Sequence, residues 1–313
     1  MRVLLVAPRD GHSHLYIREA FQELGHQVQE FDYRNSNALL GWAGMSLQLR
    51  NLNKNCDFTL ILKGESILPE VIRELKNCAL WNFDAWYSMS PELVNGAKAA
   101  RWFFTPSKGL LKEYGEMGIN SFYLCEAASR QHAPCAIIPD SFKSDIAFIG
   151  TIENVAEREQ WLTEVARAFP YRMKLWGSFG GRVPNAVHLG RPVYGNGGED
   201  YGHNLVVSGS KITLDKSRTP EIEGAFSARI FRTLAAKGFL LMRKVQGIEA
   251  MFQPGVDLDV FETTQECIEK IRFYLDDEEA RKIIAENGCR KVLASHTFVK
   301  RIEEMLMITD LGK

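Results

Sequence analysis

Glu221-Ile-Glu-Gly-Ala-Phe-Ser-Ala-Arg-Ile-Phe-Arg-Thr-Leu-Ala-Ala-Lys-Gly-Phe-Leu-Leu-Met242 reads as a helix feeding a buried strand. Phe226, Ile230 and Leu234 fall four apart with Phe231 and Ala235 beside them, which gives one apolar helical face. Lys237-Gly238 supplies a basic last turn and a glycine stop, and Phe239 to Met242 has the continuous apolar character of a strand covered on both faces. The apolar face leaves Ser227 and Arg229 unexplained. Both fall in the first helical turn, where free N–H groups and the positive dipole end favour an anion. One reading makes them a phosphate seat. The other makes Ser227 a helix cap and Arg229 a surface charge.

Outward from this stretch the chain alternates strand and helix. Lys211–Asp215 is a strand just upstream, as are Asp145–Gly150 and Tyr171–Trp176, with a helix between them over Ala156–Ala168. Downstream come a short helix at Ile248–Phe252, a strand at Leu258–Phe261, and helices over Gln265–Leu275, Asp277–Ala294 and Phe298–Met307. The glycine-rich stretch Gly177–Gly202 reads as a long irregular working loop. The amino-terminal part repeats the plan, with strands at Val3–Ala7, Val28–Tyr33, Asp57–Lys63, Cys78–Asn82, Trp102–Thr105 and Ser121–Leu124. Two doubly wound α/β domains in tandem are therefore expected, over 1–128 and 145–296, with a proline-bearing linker over 129–144 and a last helix in 297–313.

Composition narrows the partners. With 38 basic and 39 acidic residues the formal charge is −1, so bulk attraction to nucleic acid or anionic membrane is excluded as an argument. Six cysteines are scattered without a C-x-x-C pair, which fits reduced thiols rather than a disulfide framework or a zinc site. The opening apolar run is too short for a signal peptide, and no stretch reaches the length of a membrane span. A soluble cytoplasmic protein is expected.

Ligands of open parallel sheets sit outside the carboxyl ends of strands, and four loops there carry chemistry. Gly11-His12-Ser-His14 follows the first strand; its two histidines suit a metal only with a third ligand, and otherwise form an ordinary loop. Asp84 and Trp86 follow the fourth strand, with Asp84 either a base or a cap. Gly150-Thr151 follows the first strand of the second domain, with Arg158 shortly beyond, and Lys216 to Ser227 follows the Leu214 strand. Were the two domains to face each other across a cleft, these loops would converge, and the second domain's basic, glycine-bearing share would match a diphosphate site. Lys211 either joins that site or stands at a strand edge. Neither a G-x-G-x-x-G after the first strand nor a Walker motif is present, so ordinary dinucleotide and P-loop readings have no support.

Phe148-Ile-Gly150, Ser210-Lys-Ile-Thr-Leu214, Ser227-Ala-Arg229-Ile-Phe231 and Leu234-Ala-Ala-Lys-Gly-Phe-Leu-Leu241 resemble the CgeB-like group of GT-B glycosyltransferases, within the glycosyl transferases group 1 superfamily. So do Gly247 to Gly255, Ile271 to Leu275, Asn287 to Leu293 and His296-Thr-Phe298, and in the amino-terminal half Leu80 to Asp84 and Phe104 to Ser107. The resemblance covers most of the chain. It implies a GT-B fold of two Rossmann-like domains facing a cleft, the last helix crossing back onto the first domain. It implies transfer of a sugar from a nucleoside diphosphate sugar such as a UDP-sugar, the donor being a co-substrate rather than a cofactor. By that resemblance Ser227 and Arg229 hold the donor diphosphate, Gly150, Thr151, Arg158 and Lys211 line the same pocket, and no metal is required. Asp84 or His12 is the candidate base if the anomeric centre inverts, and His14 and Trp86 are candidates for the acceptor side. The acceptor is a glycan, a protein or a modified nucleic acid.

The chain also departs from the family. Related enzymes often carry two glutamates eight positions apart, the second on the donor ribose, where this chain has Gly224 and Arg232. A guanidinium cannot accept a ribose hydroxyl hydrogen bond. Glu221, Glu223 or another residue then takes that role, or donor recognition differs, or catalysis is lost. The rival readings are accordingly a sugar-nucleotide epimerase or hydrolase and a noncatalytic sugar-nucleotide or glycan-binding protein.

Overall fold

A computed structural model describes residues 1–9, 12–85, 89–151, 156–177, 183–193 and 198–312, with backbone only at 198 and 199. The chain divides into two compact units. Unit 1 comprises Met1–Glu126, Glu221–Ala225 and Phe298–Lys313; unit 2 comprises Ala127–Pro220 and Phe226–Thr297.

In unit 1 the order is β1 (Arg2–Val6), α1 (Ser13–Glu23), β2 (Gln27–Phe31), α2 (Tyr33–Asn53), β3 (Phe58–Leu62), α3 (Pro69–Glu74), β4 (Cys78–Trp81), α4 (Pro91–Ala99), β5 (Trp102–Thr105), α5 (Leu111–Glu116) and β6 (Ser121–Tyr123). The six strands form one parallel sheet in the order β2-β1-β3-β4-β5-β6. Strand order reverses between β1 and β3, so the loop after β1 leaves the sheet at its switch point. The continuous apolar character of Phe58–Leu62 follows from burial on both faces; all five residues are buried. Helix α2 was not evident in the sequence. Gly41, at φ 66°, kinks it, and the break scrambles the helical spacing of apolar positions.

Unit 2 runs β7 (Ser144–Ile149), α6 (Ala156–Ala168), β8 (Met173–Trp176), β9 (Val187–Leu189), α7 (Gly198–Gly209), β10 (Ser210–Asp215), α8 (Ala228–Ala235), β11 (Leu240–Arg243), β12 (Asp259–Phe261), α9 (Thr264–Asp276) and α10 (Glu278–Ser295). Its parallel sheet has the order β12-β11-β10-β7-β8-β9, with the switch point between β10 and β7. Its core gathers Phe148, Leu162, Met173, Leu214, Leu241 and Ile271 from strands and helices alike. The fold class expected, two parallel-sheet Rossmann-like α/β domains, is the one observed.

Three readings are corrected. The irregular stretch Gly177–Gly202 contains β9 and the start of α7. The segment read as a linker is part of unit 2: Phe142 stacks on Trp176 at 4.8 Å, and Cys135 N donates to Ser208 Oγ at 2.9 Å. Its prolines broke the pattern, yet Ser129, His132 and Phe142 are buried. The helix of the opening stretch starts only at Ala228, leaving Phe226 as a buried loop residue. Lys237, at φ 59°, holds the left-handed position that ends α8, and Gly238 N donates to Thr233 O. Gly238 is needed for a different reason: a Cβ there would lie 2.3 Å from Val207 Cγ1.

The last helix, α11 (Phe298–Ile308), belongs to unit 1, where it packs along α1. Phe298 is buried with its ring 5.6 Å from Tyr16 and 6.3 Å from Trp81, and the Arg301 guanidinium donates to Cys125 O at 3.1 Å. A Phe298→Ala variant should lose about 3–5 kcal/mol of unfolding free energy in a denaturant titration. A loss under about 1 kcal/mol would show that α11 does not complete this core.

Candidate functional site

The switch point of unit 2 brings together the carboxyl ends of β7 and β10, and two arginines close over them. Asp215 ends β10 with its carboxylate 1% exposed, and Arg229 Nε donates to its Oδ1 at 2.6 Å. Arg229 Nη1 donates to Ile149 O at 3.2 Å, at the end of β7. Gly150 permits that approach, since a Cβ there would lie 2.7 Å from Arg229 Nη1. Arg158, reaching from α6, donates from Nη1 to Thr151 O at 2.7 Å and from Nη2 to Lys216 O at 2.6 Å. It thereby fastens the two strand-end loops to each other. Both guanidinium carbons lie within cation–π range of the Phe148 ring, at 5.7 Å for Arg158 and 5.9 Å for Arg229.

The electrostatics are cationic. Burial, and then the neighbouring charge of Arg229, brings the Arg158 guanidinium down to about 10, which leaves it charged at neutral pH. Arg229 pairs with the Asp215 carboxylate at the amino end of α8, and the same carboxylate's charge acts on Arg158. Lys216 is buried beside them, its ammonium 2.8 Å from Glu157 Oε1 and 5.7 Å from the Trp161 ring. Arg229 keeps 24% of its side chain exposed, so part of its fork remains open to a ligand. Such an arrangement favours a multiply charged anion.

Ser227 caps α8, its Oγ accepting from Arg229 N at 3.2 Å. The structure thus gathers Gly150, Thr151, Arg158, Ser227 and Arg229 around one point. Lys211 is not among them. It is the second residue of β10, at the other end of the strand, paired with Asp145 Oδ1 at 2.8 Å, which corrects its placement in the donor pocket. Side chains at the two ends of a strand cannot share a pocket, and the sequence alone had left its end of the strand open.

In unit 1, His12 precedes α1, in the loop after β1. His14 is within α1 and buried, with no hydrogen-bond partner for Nδ1. Asp84 follows β4, exposed, its carbonyl accepting from Asn82 Nδ2 at 3.0 Å. The loops after β1 and β4 leave the same sheet with β3 between them, about 10 Å apart. Trp86 lies outside the described residues. Among the described residues no group of three or more His, Cys, Asp or Glu side chains could hold a metal ion.

Three members of the unit 2 site were not legible in the sequence: Asp215, Asp200 and His203. Asp215 was visible only as the last residue of a strand. Arg232 pairs with the buried Asp200 of α7, Nη1 to Oδ1 at 3.4 Å, so the carboxylate near this position belongs to a different helix. His203, also on α7, is buried with neither ring nitrogen hydrogen-bonded. Burial, then the charges of Arg232 and Arg229, push its pKa down to about 3, so the ring is neutral at neutral pH.

Residues 158–307 match the family described as glycosyl transferase-like. A comparison with curated protein sequences gave no match. Among solved structures, the chain is similar to the sucrose-phosphate synthase of Thermosynechococcus elongatus (TM-score 0.70, 10% identity, 100% of both chains). It is similar to Anabaena HepE in complex with UDP-glucose (TM-score 0.69, 11% identity, 99% of both chains). It is also similar to a glycosyltransferase from Rickettsia africae (TM-score 0.68, 12% identity, 99% of this chain and 98% of that one). At these identities the likeness shows the fold, which is that of GT-B glycosyltransferases.

The neutral His203 makes a pH prediction. Below about 6.5 the unfolded chain binds a proton on this ring that the folded chain refuses until about pH 3, so His203 lowers stability progressively across that window. Wild type should lose stability on acidification more steeply than His203→Gln, by about 1.4 kcal/mol per pH unit between pH 6 and pH 4. Parallel curves in chemical denaturation would contradict the assignment.

Proposed function

We propose that this protein is a glycosyltransferase that moves a sugar from a nucleoside diphosphate sugar to an acceptor, with the donor diphosphate held by unit 2. The observation that carries the reading is the pair of guanidinium groups, Arg158 and Arg229, set around a single buried carboxylate at the sheet's switch point. The match of residues 158–307 to a glycosyl transferase-like family, and a fold similar to HepE, which was solved with UDP and with UDP-glucose, support a UDP-sugar as donor.

The chemistry asked of the site is to stabilise a leaving diphosphate. As the bond from the anomeric carbon to the β-phosphate oxygen lengthens, negative charge grows on the phosphate. The open part of the Arg229 fork, the amino end of α8 capped by Ser227, and the fixed charge of Arg158 meet that charge without reorganising. Arg158 acts from behind, because its own hydrogen bonds go to the carbonyls of Thr151 and Lys216. Asp215 fixes the orientation of Arg229, and Gly150 clears the space it needs. On the acceptor side, Asp84 or His12 is the proposed base for an inverting reaction, with His14 and Trp86 proposed as acceptor contacts; a retaining reaction requires no dedicated base. The acceptor is a glycan, a protein or a modified nucleic acid.

The second reading, a sugar-nucleotide-binding protein without turnover, is favoured by one observation: Arg232 occupies the position where a ribose-binding glutamate is expected, and it is paired with Asp200. Turnover separates the two. With a panel of UDP-, GDP- and TDP-sugars and candidate acceptors, wild type should release nucleoside diphosphate in an acceptor-dependent manner. Arg229→Gln removes the charge while leaving Asp215 a hydrogen-bond donor, and it should lower kcat/KM by about 10²–10³. Arg229→Lys should recover only part of this, because an ammonium cannot span both Asp215 and a phosphate as the fork does. A fully active Arg229→Gln would remove the diphosphate seat, and binding without turnover would favour the second reading.

A further inference from the structure

The residue displaced from the donor site, Lys211, belongs to a different cavity. At the amino ends of β7, β8 and β10, unit 2 has a cavity of about 600 Å3 lined by Lys143, Arg172, Lys174 and Lys211, with Asp145 as its carboxylate and Tyr171 among its walls. In a chain whose formal charge is −1, four cations around one carboxylate are a local concentration that composition does not supply. β10 is six residues long, so at about 3.3 Å per residue this cavity lies roughly 17 Å from the arginines at the other end of the strand.

Two of the cations share one anchor and the other two are held elsewhere. Asp145 receives Arg172 Nε on Oδ2 at 2.7 Å and Lys211 Nζ on Oδ1 at 2.8 Å. Burial would raise the Asp145 carboxyl, but the Lys211 and Arg172 hydrogen bonds outweigh it and hold the group below its usual range. Lys174 donates to Ser141 O at 2.8 Å, and Lys143 reaches the exposed Asp140 at 2.7 Å. Neither lysine neutralises a buried charge, so both can turn to a ligand at little cost. Glu278, which also feels Lys211, is held by Lys282.

Tyr171 adds a flat face. It adopts φ 61°, a left-handed conformation that costs a non-glycine residue about 1–2 kcal/mol, and its side chain stands in solvent, 75% exposed. Its N–H donates to Asn185 O at 2.7 Å, which fixes the turn that presents the ring. An exposed aromatic ring beside cations and the Ser144 and Ser208 hydroxyls suits a sugar carrying a charged group. The volume falls in the range of small-ligand sites, about 300–1,000 Å3.

We propose that this cavity is a second ligand site, distinct from the donor seat, that binds a small phosphorylated sugar, its phosphoryl oxygens on Lys143, Lys174, Lys211 and Arg172 and its ring on Tyr171. A phosphomonoester is close to a dianion at neutral pH and takes several charge-assisted hydrogen bonds from such a cluster. The site stands whether or not the chain proves to be a glycosyltransferase.

The test is calorimetric titration at low salt with glucose 6-phosphate as the probe, and glucose as the uncharged control. Wild type should bind glucose 6-phosphate and not glucose. Lys143→Ser combined with Lys174→Ser should weaken binding by about tenfold or more, Tyr171→Ala should weaken it to a lesser degree, and Arg229→Gln should leave it unchanged. Should the double variant melt early, Lys143→Ser alone, on an exposed side chain, carries the same comparison. The proposal is overturned by an absence of binding to wild type, by equal binding of glucose, by binding that survives the lysine replacements, or by loss of binding in Arg229→Gln.

Discussion

The Asp215 carboxylate is buried at the end of β10, and Arg229 is the cation that makes its burial tolerable. An ionised carboxylate removed from water costs several kcal/mol unless a partner compensates it. The pair therefore fixes more than itself. To reach Asp215 the guanidinium must cross the end of β7, which requires that Gly150 carry no side chain, and it draws the first turn of α8 onto the switch point of the sheet. Arg158 adds a second constraint by tying the loop after β7 to the loop after β10. What results is a rigid, positively charged edge whose groups are already oriented, the condition under which electrostatic stabilisation of a leaving group is most effective.

The order of elements could be read from the sequence wherever burial was continuous or amphipathic. Strands such as Phe58–Leu62 and Leu240–Arg243 announced themselves by apolar runs, and α8 by the spacing of Ile230, Phe231 and Leu234. Elements whose pattern is broken did not. α2 is interrupted at Gly41, and α7 begins in a glycine-rich stretch whose composition points to a loop. The site was legible in part for a similar reason. Ser227 and Arg229 stand out because the apolar face beside them does not explain them, whereas Asp215 and His203 acquire meaning only from the neighbours that folding brings to them. Lys211 failed in the opposite direction: its strand was recognised, but a residue's end of the strand decides which face of the chemistry it joins.

Arg232 and His203 set this site apart from the glutamate pattern that the sequence resemblance led one to expect. The carboxylate near Arg232 comes from Asp200 on α7, and the neighbouring ring of His203 is kept neutral by burial and by two arginines. A neutral imidazole can both donate and accept, which a carboxylate cannot.

The diphosphate of the donor is proposed to rest against Arg229 at the amino end of α8. A crystal structure of the protein with UDP tests it most directly. Phosphate oxygens are expected within hydrogen-bond distance of Arg229 and of the first turn of α8, with the Asp215–Arg229 pair intact. UDP bound elsewhere on the molecule, or a diphosphate that leaves Arg229 untouched, would contradict it.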